Sequence, residues 1–521
     1  MTPLAPLDLF RRRLCFAFGV LFAAPLLAAE PPSEARFAPE AGFGMGPHVN
    51  AAQVERAVAA TAPIPPGPFA PTWDSIRENY RVPAWYRDGK FGIFIHWGLY
   101  SVPAYHNEWY EKYMYGNAGM RDWHIQTFGP LDQFGYLDFA KQFATKFDPA
   151  AWAKLFAEAG ATYVVPTAEH HDWFSLWDSQ VSPWNAKQLG PKRDLIGELA
   201  TAVRAQGLKF GVSNHSIEHY TFINQRPPDG MKSDLDDPAR EDFYWVNHSD
   251  EKLERFLRLW VEKNFELIDK YQPDMLWFDN GINHRADDPM KLKVAAYYYN
   301  RAATWGKAVT LSTKAKAYLA GSVLDFERQG RAPQQLTDYV WQPDDPIGPT
   351  FGYTTIERGK ADRSQDMTVT DAGVLIDRLV INVSRNGNYL LNISPRGDGS
   401  IPENQQAVLR AIGAWLKVNG EAIYRTRAWT RSEEGKVHFT RTANTLYALA
   451  LDWPGAELRL TSLGRTAGPL SSVELLTASG PQKLEFTQDD AALTVKLPTA
   501  PVGEHAFAFR LRGLALPALA P

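Results

Sequence analysis

Two carboxylates, Asp279 and Glu327, each stand at the end of a short strand-like run, a pattern that suits paired acid and nucleophile chemistry. Asp279 ends Leu276-Trp277-Phe278, and Glu327 ends Leu324-Asp325-Phe326. Runs of this kind read as buried strands, so a stiff backbone presents each carboxylate. Two carboxyl groups facing one pocket can cleave a glycosidic bond: one attacks the anomeric carbon and the other protonates the leaving oxygen. The acid must hold its proton near neutrality, which an apolar or like-charged setting achieves. Phe326 and Asp279 are the expected sources of that setting for Glu327. The competing reading for either residue is a salt-bridged loop carboxylate.

Other strand ends carry similar chemistry. Phe91–Ile95 runs into His96, Trp97 and Gly98, then into Tyr105-His106-Asn107-Glu108-Trp109-Tyr110, where aromatics alternate with hydrogen-bonding groups. Flat apolar faces beside polar groups suit a sugar. Glu169, His170, His171 and Asp172 follow the run from Tyr163; Asn214, His215, Glu218 and His219 follow the run from Lys209. Of His96, Trp97 and the residues that follow the runs from Tyr163 and Lys209, all but Trp97 are polar or titratable. His170 and His171 are adjacent and lack the i, i+4 spacing of a helical zinc pair. A site built from His96, one of that pair and Asp279 is the metal alternative; the preferred reading has no metal and no cofactor.

The elements that position these residues alternate. Strand candidates are Phe91–Ile95, Tyr163–Thr167, Lys209–Ser213, Met275–Phe278, Ala308–Ser312, Val323–Phe326 and Tyr389–Ile393. Helical patterns lie between several of them. Asp148 with Pro149 opens one carrying Trp152, Leu155, Phe156 and Ala159; Asp194 opens another; a long one follows Asp250. Repeated strand–helix units predict an α/β fold, a (β/α)8-like TIM barrel, with functional groups at the C-terminal strand ends. The rival, an open doubly wound sheet, lacks its glycine-rich phosphate turn here. After about Trp429 short β-patterned runs separated by Gly, Pro, Asp and Asn predict a C-terminal antiparallel β-sandwich. The expected division is 1–29 signal peptide, 30–71 linker or wrapping arm, 72–426 catalytic barrel and 427–521 sandwich.

Bulk properties narrow the partners. The 521 residues carry a net charge of −4 and 17 Trp, which disfavours nucleic acid and favours carbohydrate. Arg11-Arg12-Arg13, the apolar run Leu14–Leu27 and Ala28-Ala29 read as an export signal cleaved near Ala28 or Ala29, with a membrane anchor as the alternative. The expected location is periplasmic or secreted, with no membrane association of the mature form. The one cysteine, Cys15, lies in that segment, so a mature chain has neither disulfides nor thiolate chemistry. Oligomeric state is not legible.

These residues resemble the α-L-fucosidases of glycoside hydrolase family 29. The resemblance rests on Trp85 to Gly98, Glu169-His170-His171-Asp172, Trp184-Asn185, Pro273 to Asp279, Asp325-Phe326-Glu327-Arg328, Asn386 to Pro395 and Asn419 to Tyr424. It implies a barrel followed by a sandwich and a metal-free, exo-acting retaining double displacement on terminal α-L-fucosyl residues of an oligosaccharide or glycoconjugate. It implies Asp279 as nucleophile and Glu327 as acid/base, because the later Trp-Glu pair of some members reads Trp341-Gln342 here. His96, His170, His171, Glu108 and His215 are the expected hydroxyl-binding residues, with Trp97 packing nearby and Trp277 closing the floor. Departures bear on the substrate. Trp173 stands where the family commonly has Gly, and an indole there is expected to narrow or reshape the pocket. Ser213-Asn214-His215-Ser216 replaces a Tyr-Tyr-Ser run. Lys314 lies near the position expected for a hydroxyl-binding arginine. A related sugar such as α-L-galactoside, or a non-catalytic fucose-binding protein, are the alternatives.

Overall fold

The computed structural model describes residues 50–279, 281–282, 287–314, 316–355 and 365–519. The expected signal segment lies outside these residues. Among the described residues, no helix is long and apolar enough to cross a membrane.

Eight parallel strands close into a barrel in sequence order: β1 (Phe91–Ile95), β2 (Tyr163–Glu169), β3 (Lys209–Asn214), β4 (Met275–Phe278), β5 (Thr310–Thr313), β6 (Ser322–Glu327), β7 (Trp341–Pro346) and β8 (Tyr389–Ile393). Closure comes from β1 pairing with β8, with Phe91 opposite Tyr389 and Ile95 opposite Ile393. Seven of these strands match sequence candidates; β7 does not. Its residues, Trp-Gln-Pro-Asp-Asp-Pro, hold two prolines that cannot donate to a ladder, which argues against a strand on local grounds. The ring needs an eighth member, and β7 supplies it between β6 and β8.

Side chains alternate across each strand. Phe94, Tyr163, Val165, Met275, Trp277, Val323 and Leu390 form one cluster inside the ring with Tyr86. Ile93, Ile95, Val164, Leu276, Phe278, Leu391 and Ile393 belong to the separate core between strands and helices. The helices start where their caps predict: Asp148 accepts from the amides of Ala150 and Ala151, and Asp194 from that of Gly197. The long helix Asp250–Tyr271 is capped by Ser249.

The described part of the 30–71 stretch carries a helix, Ala51–Ala59, with an Asn50–Gln53 capping box. It buries Val54 and Ala57, and Gln53 donates to the carbonyl of Asp250. After Arg427 come a six-stranded and a three-stranded antiparallel sheet. They share a core that includes Phe439, Leu446 and Phe509 of one and Leu458, Leu493 and Val495 of the other. Ties to the barrel run through Trp415, whose indole donates to Ala506, and Arg427, which pairs with Asp88 at 2.8 Å.

An ion pair with both side chains fully buried braces the barrel where β2 ends. Lys263 of the long helix donates to both Glu169 oxygens at 2.9 and 2.8 Å. Removing one partner leaves a buried, uncompensated charge. Lys263→Met is therefore expected to cost about 3–5 kcal/mol. Urea unfolding midpoints check this, and Glu169→Gln added to Lys263→Met should recover part of the loss.

Candidate functional site

The alternation that fills the barrel also aims its polar residues. On β4, Met275 and Trp277 point inward, so Asp279 continues on the inner side. On β6, Val323 is inside and Leu324 outside, which turns Asp325 and Glu327 inward. On β7 the inward residues are Gln342 and Asp344, and Lys314 follows β5 on the face of Thr310 and Ser312. The result is a charged cluster at the C-terminal mouth, above the apolar plug.

Lys314 is its centre. The ammonium lies 3.1 Å from Asp279 Oδ1, 3.0 Å from Asp344 Oδ2 and 3.5 Å from Glu327 Oε2. Asp279 and Glu327 are therefore no farther apart than two of these contacts laid end to end. The other oxygen of Asp279 faces His215 Nδ1 at 3.4 Å and His171 Nε2 at 3.5 Å. Burial alone would raise the pKa of Asp279, but Lys314, His171 and His215 outweigh it and hold the carboxyl well below the usual range. Asp279 is thus a carboxylate held in its ionised form, with its side chain 15% exposed. His171 donates through Nδ1 to the carbonyl of His215 and presents Nε2 to Asp279. Burial opposes its protonation, yet Glu218 and Asp279 raise its pKa. For Lys314 too, the surrounding carboxylates overcome burial and stabilise the cation.

Asp344 is the residue that sequence reasoning missed. It is fully buried, and burial together with Asp325 pushes its pKa well above the carboxylate range. It therefore holds a proton more tightly than an ordinary carboxyl, although Lys314 at 3.0 Å works against this. The signal was the Asp344-Asp345 pair, one residue inward and one outward, but only a recognised strand at β7 makes it readable. Gln342 lies deeper. Its carbonyl accepts from Tyr86 and Tyr163 at 2.8 and 2.9 Å, and its amide donates to Asp325 and Ser312.

Most of the expected residues converge. His96, His170 and His215 form a triangle with ring centroids 5.6, 5.2 and 5.0 Å apart. Burial lowers the pKa of all three, so they are neutral. Trp277 lies beneath them, stacked on His215 at 5.1 Å, with its indole donating to Asp325 at 2.9 Å. Glu108 accepts from the amide of Gly352 at 3.0 Å, and burial raises its pKa. Phe351, next to Gly352, packs on His96 at 4.9 Å, while Phe222 and Trp109 flank His171 at 5.0 and 6.0 Å. Phe222 and Phe351 sit on loops with no periodic signal, so sequence alone did not single them out.

Three expectations need correction. Trp97 does not pack beside the pocket. It follows inward-facing His96 and so points outward, against Phe143, Phe147 and Trp152. Trp173 does not narrow the pocket. Its backbone has φ 57°, a left-handed conformation that favours glycine, and its ring packs on Phe256 at 4.5 Å with Lys263 Nζ 3.4 Å from the ring centroid. Glu327 lacks the apolar setting expected: Phe326 faces outward onto Trp341, and Lys314 and Arg331 stand beside the partly exposed carboxylate.

Among the described residues, two groups bring potential metal-ligand atoms within 4.8 Å of one another: His96, His170 and His215, and His171, His215 and Asp279. Neither matches the expected set of His96, one of His170 and His171, and Asp279.

Comparison with known proteins gives one consistent result. The family model described as alpha-L-fucosidase matches residues 57–421, and that of the alpha-L-fucosidase C-terminal domain matches 431–512. The tissue alpha-L-fucosidase of Rattus norvegicus is 31% identical over 461 residues, covering 86% of this chain and 92% of the relative. That of Homo sapiens is 31% identical over 479 residues, covering 86% and 93%. A crystal structure of Thermotoga maritima alpha-fucosidase superposes with a TM-score of 0.65 at 31% identity, covering 85% of this chain and 100% of the other. The same enzyme in complex with fucose gives 0.65 at 30% identity, covering 85% and 99%.

Because the indole of Trp173 packs away from the mouth, Trp173→Gly is expected to affect stability and not sugar choice. Losing the buried ring, less the relief of a strained φ, should cost about 2–4 kcal/mol. Thermal unfolding measures the loss, and an unchanged KM and aryl-glycoside preference measures the separation.

Proposed function

We propose, from the premise that this chain belongs to the α-L-fucosidase family and is a glycoside hydrolase, that it releases terminal α-L-fucose from glycans by an exo-acting, retaining double displacement. The single observation carrying the mechanism is that one ammonium, Lys314, contacts both Asp279 and Glu327 from separate strands. Retaining enzymes hold their carboxyls about 5–5.5 Å apart and inverting ones about 6.5–9.5 Å. Contacts of 3.1 and 3.5 Å to one ammonium allow the shorter separation and leave almost none of the longer range.

In this reading Asp279 is the nucleophile. Its ionised state suits attack on the anomeric carbon, and Lys314, His171 and His215 keep it ionised. Glu327, nearer solvent, protonates the glycosidic oxygen as the bond to the anomeric carbon breaks. A β-linked glycosyl-enzyme forms on Asp279. Glu327, now a carboxylate, takes a proton from water, which attacks the same carbon and frees Asp279. Gln342 is not the acid: an amide cannot donate that proton, and both its ends are engaged below the floor. His96, His170, His171, His215 and Glu108 hold hydroxyls, and Trp277 closes the base of the pocket. The substrate is a fucosylated oligosaccharide or glycoconjugate, in keeping with the neighbour solved in complex with fucose. Export through the N-terminal segment, giving a periplasmic or secreted enzyme, completes the proposal.

Asp279→Gly should lower turnover of p-nitrophenyl α-L-fucoside by about 10³-fold or more while leaving folding intact. Wild-type-like release of nitrophenol by that variant would reject the assignment. Glu327→Gln should lower turnover of natural glycans by about 10²–10⁴-fold and of the aryl fucoside much less, since nitrophenolate leaves without protonation. A panel of aryl glycosides including α-L-galactoside separates fucose from related sugars.

Lys314 sets the pH profile. Removing the cation destabilises the Asp279 carboxylate, so its pKa rises and the nucleophile is lost to protonation at higher pH. Lys314→Met should therefore move the acid limb of kcat/KM to higher pH, and Lys314→Arg should keep it near its original place. Steady-state rates across the acid range check both.

A further inference from the structure

The triangle of His96, His170 and His215 is also a nitrogen donor set in its own right. The three rings come from the ends of three successive strands, and their ligand atoms lie within 4.8 Å of one another. Two of the three rings are anchored through one nitrogen, which leaves the other for a metal. The Nδ1–H of His96 donates to Asn392 Oδ1 at 2.7 Å, so Nε2 carries the lone pair. His215 touches Ser213 Oγ through Nε2 at 3.0 Å and Asp279 Oδ2 through Nδ1 at 3.4 Å, so Nδ1 becomes a ligand atom when its proton moves to Nε2 and Ser213 accepts it. Nδ1 of His170 is buried with no hydrogen-bond partner. Anchoring of the far ring nitrogen is how metal-ligating imidazoles are held. Charge is available as well. Asp279 turns Oδ1 to Lys314 and Oδ2 to His215, so a carboxylate oxygen borders the triangle while the opposing ammonium stays on the other side of it.

We infer that His96, His170 and His215 bind one divalent transition-metal ion, with Zn²⁺ as the type, inside the sugar pocket, so that ion and sugar exclude each other. The ion is an inhibitor and takes no part in the reaction. Imidazole donors select zinc or copper over calcium and magnesium, which take oxygen ligands. Zn–N bonds of about 2.0–2.1 Å set a tetrahedral edge of about 3.4 Å, so the rings draw inward by small side-chain rotations on binding. The ion sheds water, three neutral imidazoles replace it, and no bond of the protein is made or broken. The donor set stands on nitrogen positions alone; the exclusion of sugar rests on the fucosidase reading.

The test uses the full chain without an affinity tag, freed of metal by chelation. Titration with ZnCl₂ followed by calorimetry should show one tight site per chain. Cu²⁺ in the same site should give an electron paramagnetic resonance spectrum with superhyperfine coupling to three nitrogens. His96→Asn and His170→Asn should each weaken Zn²⁺ binding at least ten-fold, and saturating L-fucose should weaken it in the wild type. No binding, coupling to fewer than three nitrogens, or affinity unchanged in both variants would overturn the site. The wild-type spectrum decides if a variant fails to fold. Three-nitrogen coordination indifferent to L-fucose would overturn the mutual exclusion. Hydrolysis of the aryl fucoside by the metal-free enzyme tests the fucosidase reading separately.

Discussion

A closed ring of eight parallel strands leaves each inward side chain one place to go, and that confinement organises the rest of this molecule. Inside the ring, polarity changes along the axis. Tyr86, Tyr163, Phe94 and Val323 plug the lower part. Trp277, Asp325 and Gln342 form a hydrogen-bonded layer above them. Asp279, Lys314, Glu327, Asp344 and the histidines occupy the mouth. The packing is tight at the bottom: a Cβ on Gly92 would stand 2.3 Å from the ring of Tyr163, so only glycine fits opposite that tyrosine. The plug is thus the support on which the polar layer stands.

The mouth is electrostatically economical. One ammonium serves three carboxyl groups, and the competition is eased because burial beside Asp325 pushes the Asp344 carboxyl well above the usual range. Isolated buried charges cost several kcal/mol each. Here each ionised group has a counterpart: Asp279 has Lys314, His171 and His215, and Glu169 has Lys263. Gathering charge on Asp279 is costly to folding; in the proposed mechanism it serves attack on the anomeric carbon, because the carboxylate's partners are already in place.

Much of the site was legible before folding. Asp279, His96, His170 and His215 follow clear strands, and a strand end in a parallel barrel is a presented position. What was not legible was which way neighbours point and what they meet. Trp97 is one residue past His96, and a period of two sends it to the helices. Phe326 is turned outward for the same reason, so it does not make Glu327's surroundings apolar. Trp173 occupies a left-handed position that glycine usually takes, and its ring found space against Phe256 and Lys263, far onward in the chain. Strand β7 was hidden because its prolines and aspartates contradict local strand preference, and only the demand of ring closure overrides them.

The amino-acid sequence by itself determined the strand–helix alternation, the helix starts at Asp148 and Asp194, the change to antiparallel β structure after Arg427, and the residues standing at strand ends. Those features depend on neighbours a few positions away, through periodicity and capping. The tertiary structure decided that Lys314 joins Asp279 to Glu327, that Asp344 is a fully buried carboxyl with a raised pKa, and that Trp97 and Trp173 leave the pocket. Each of these depends on groups brought together from distant strands, where distance, burial and charge act only after the ring has closed.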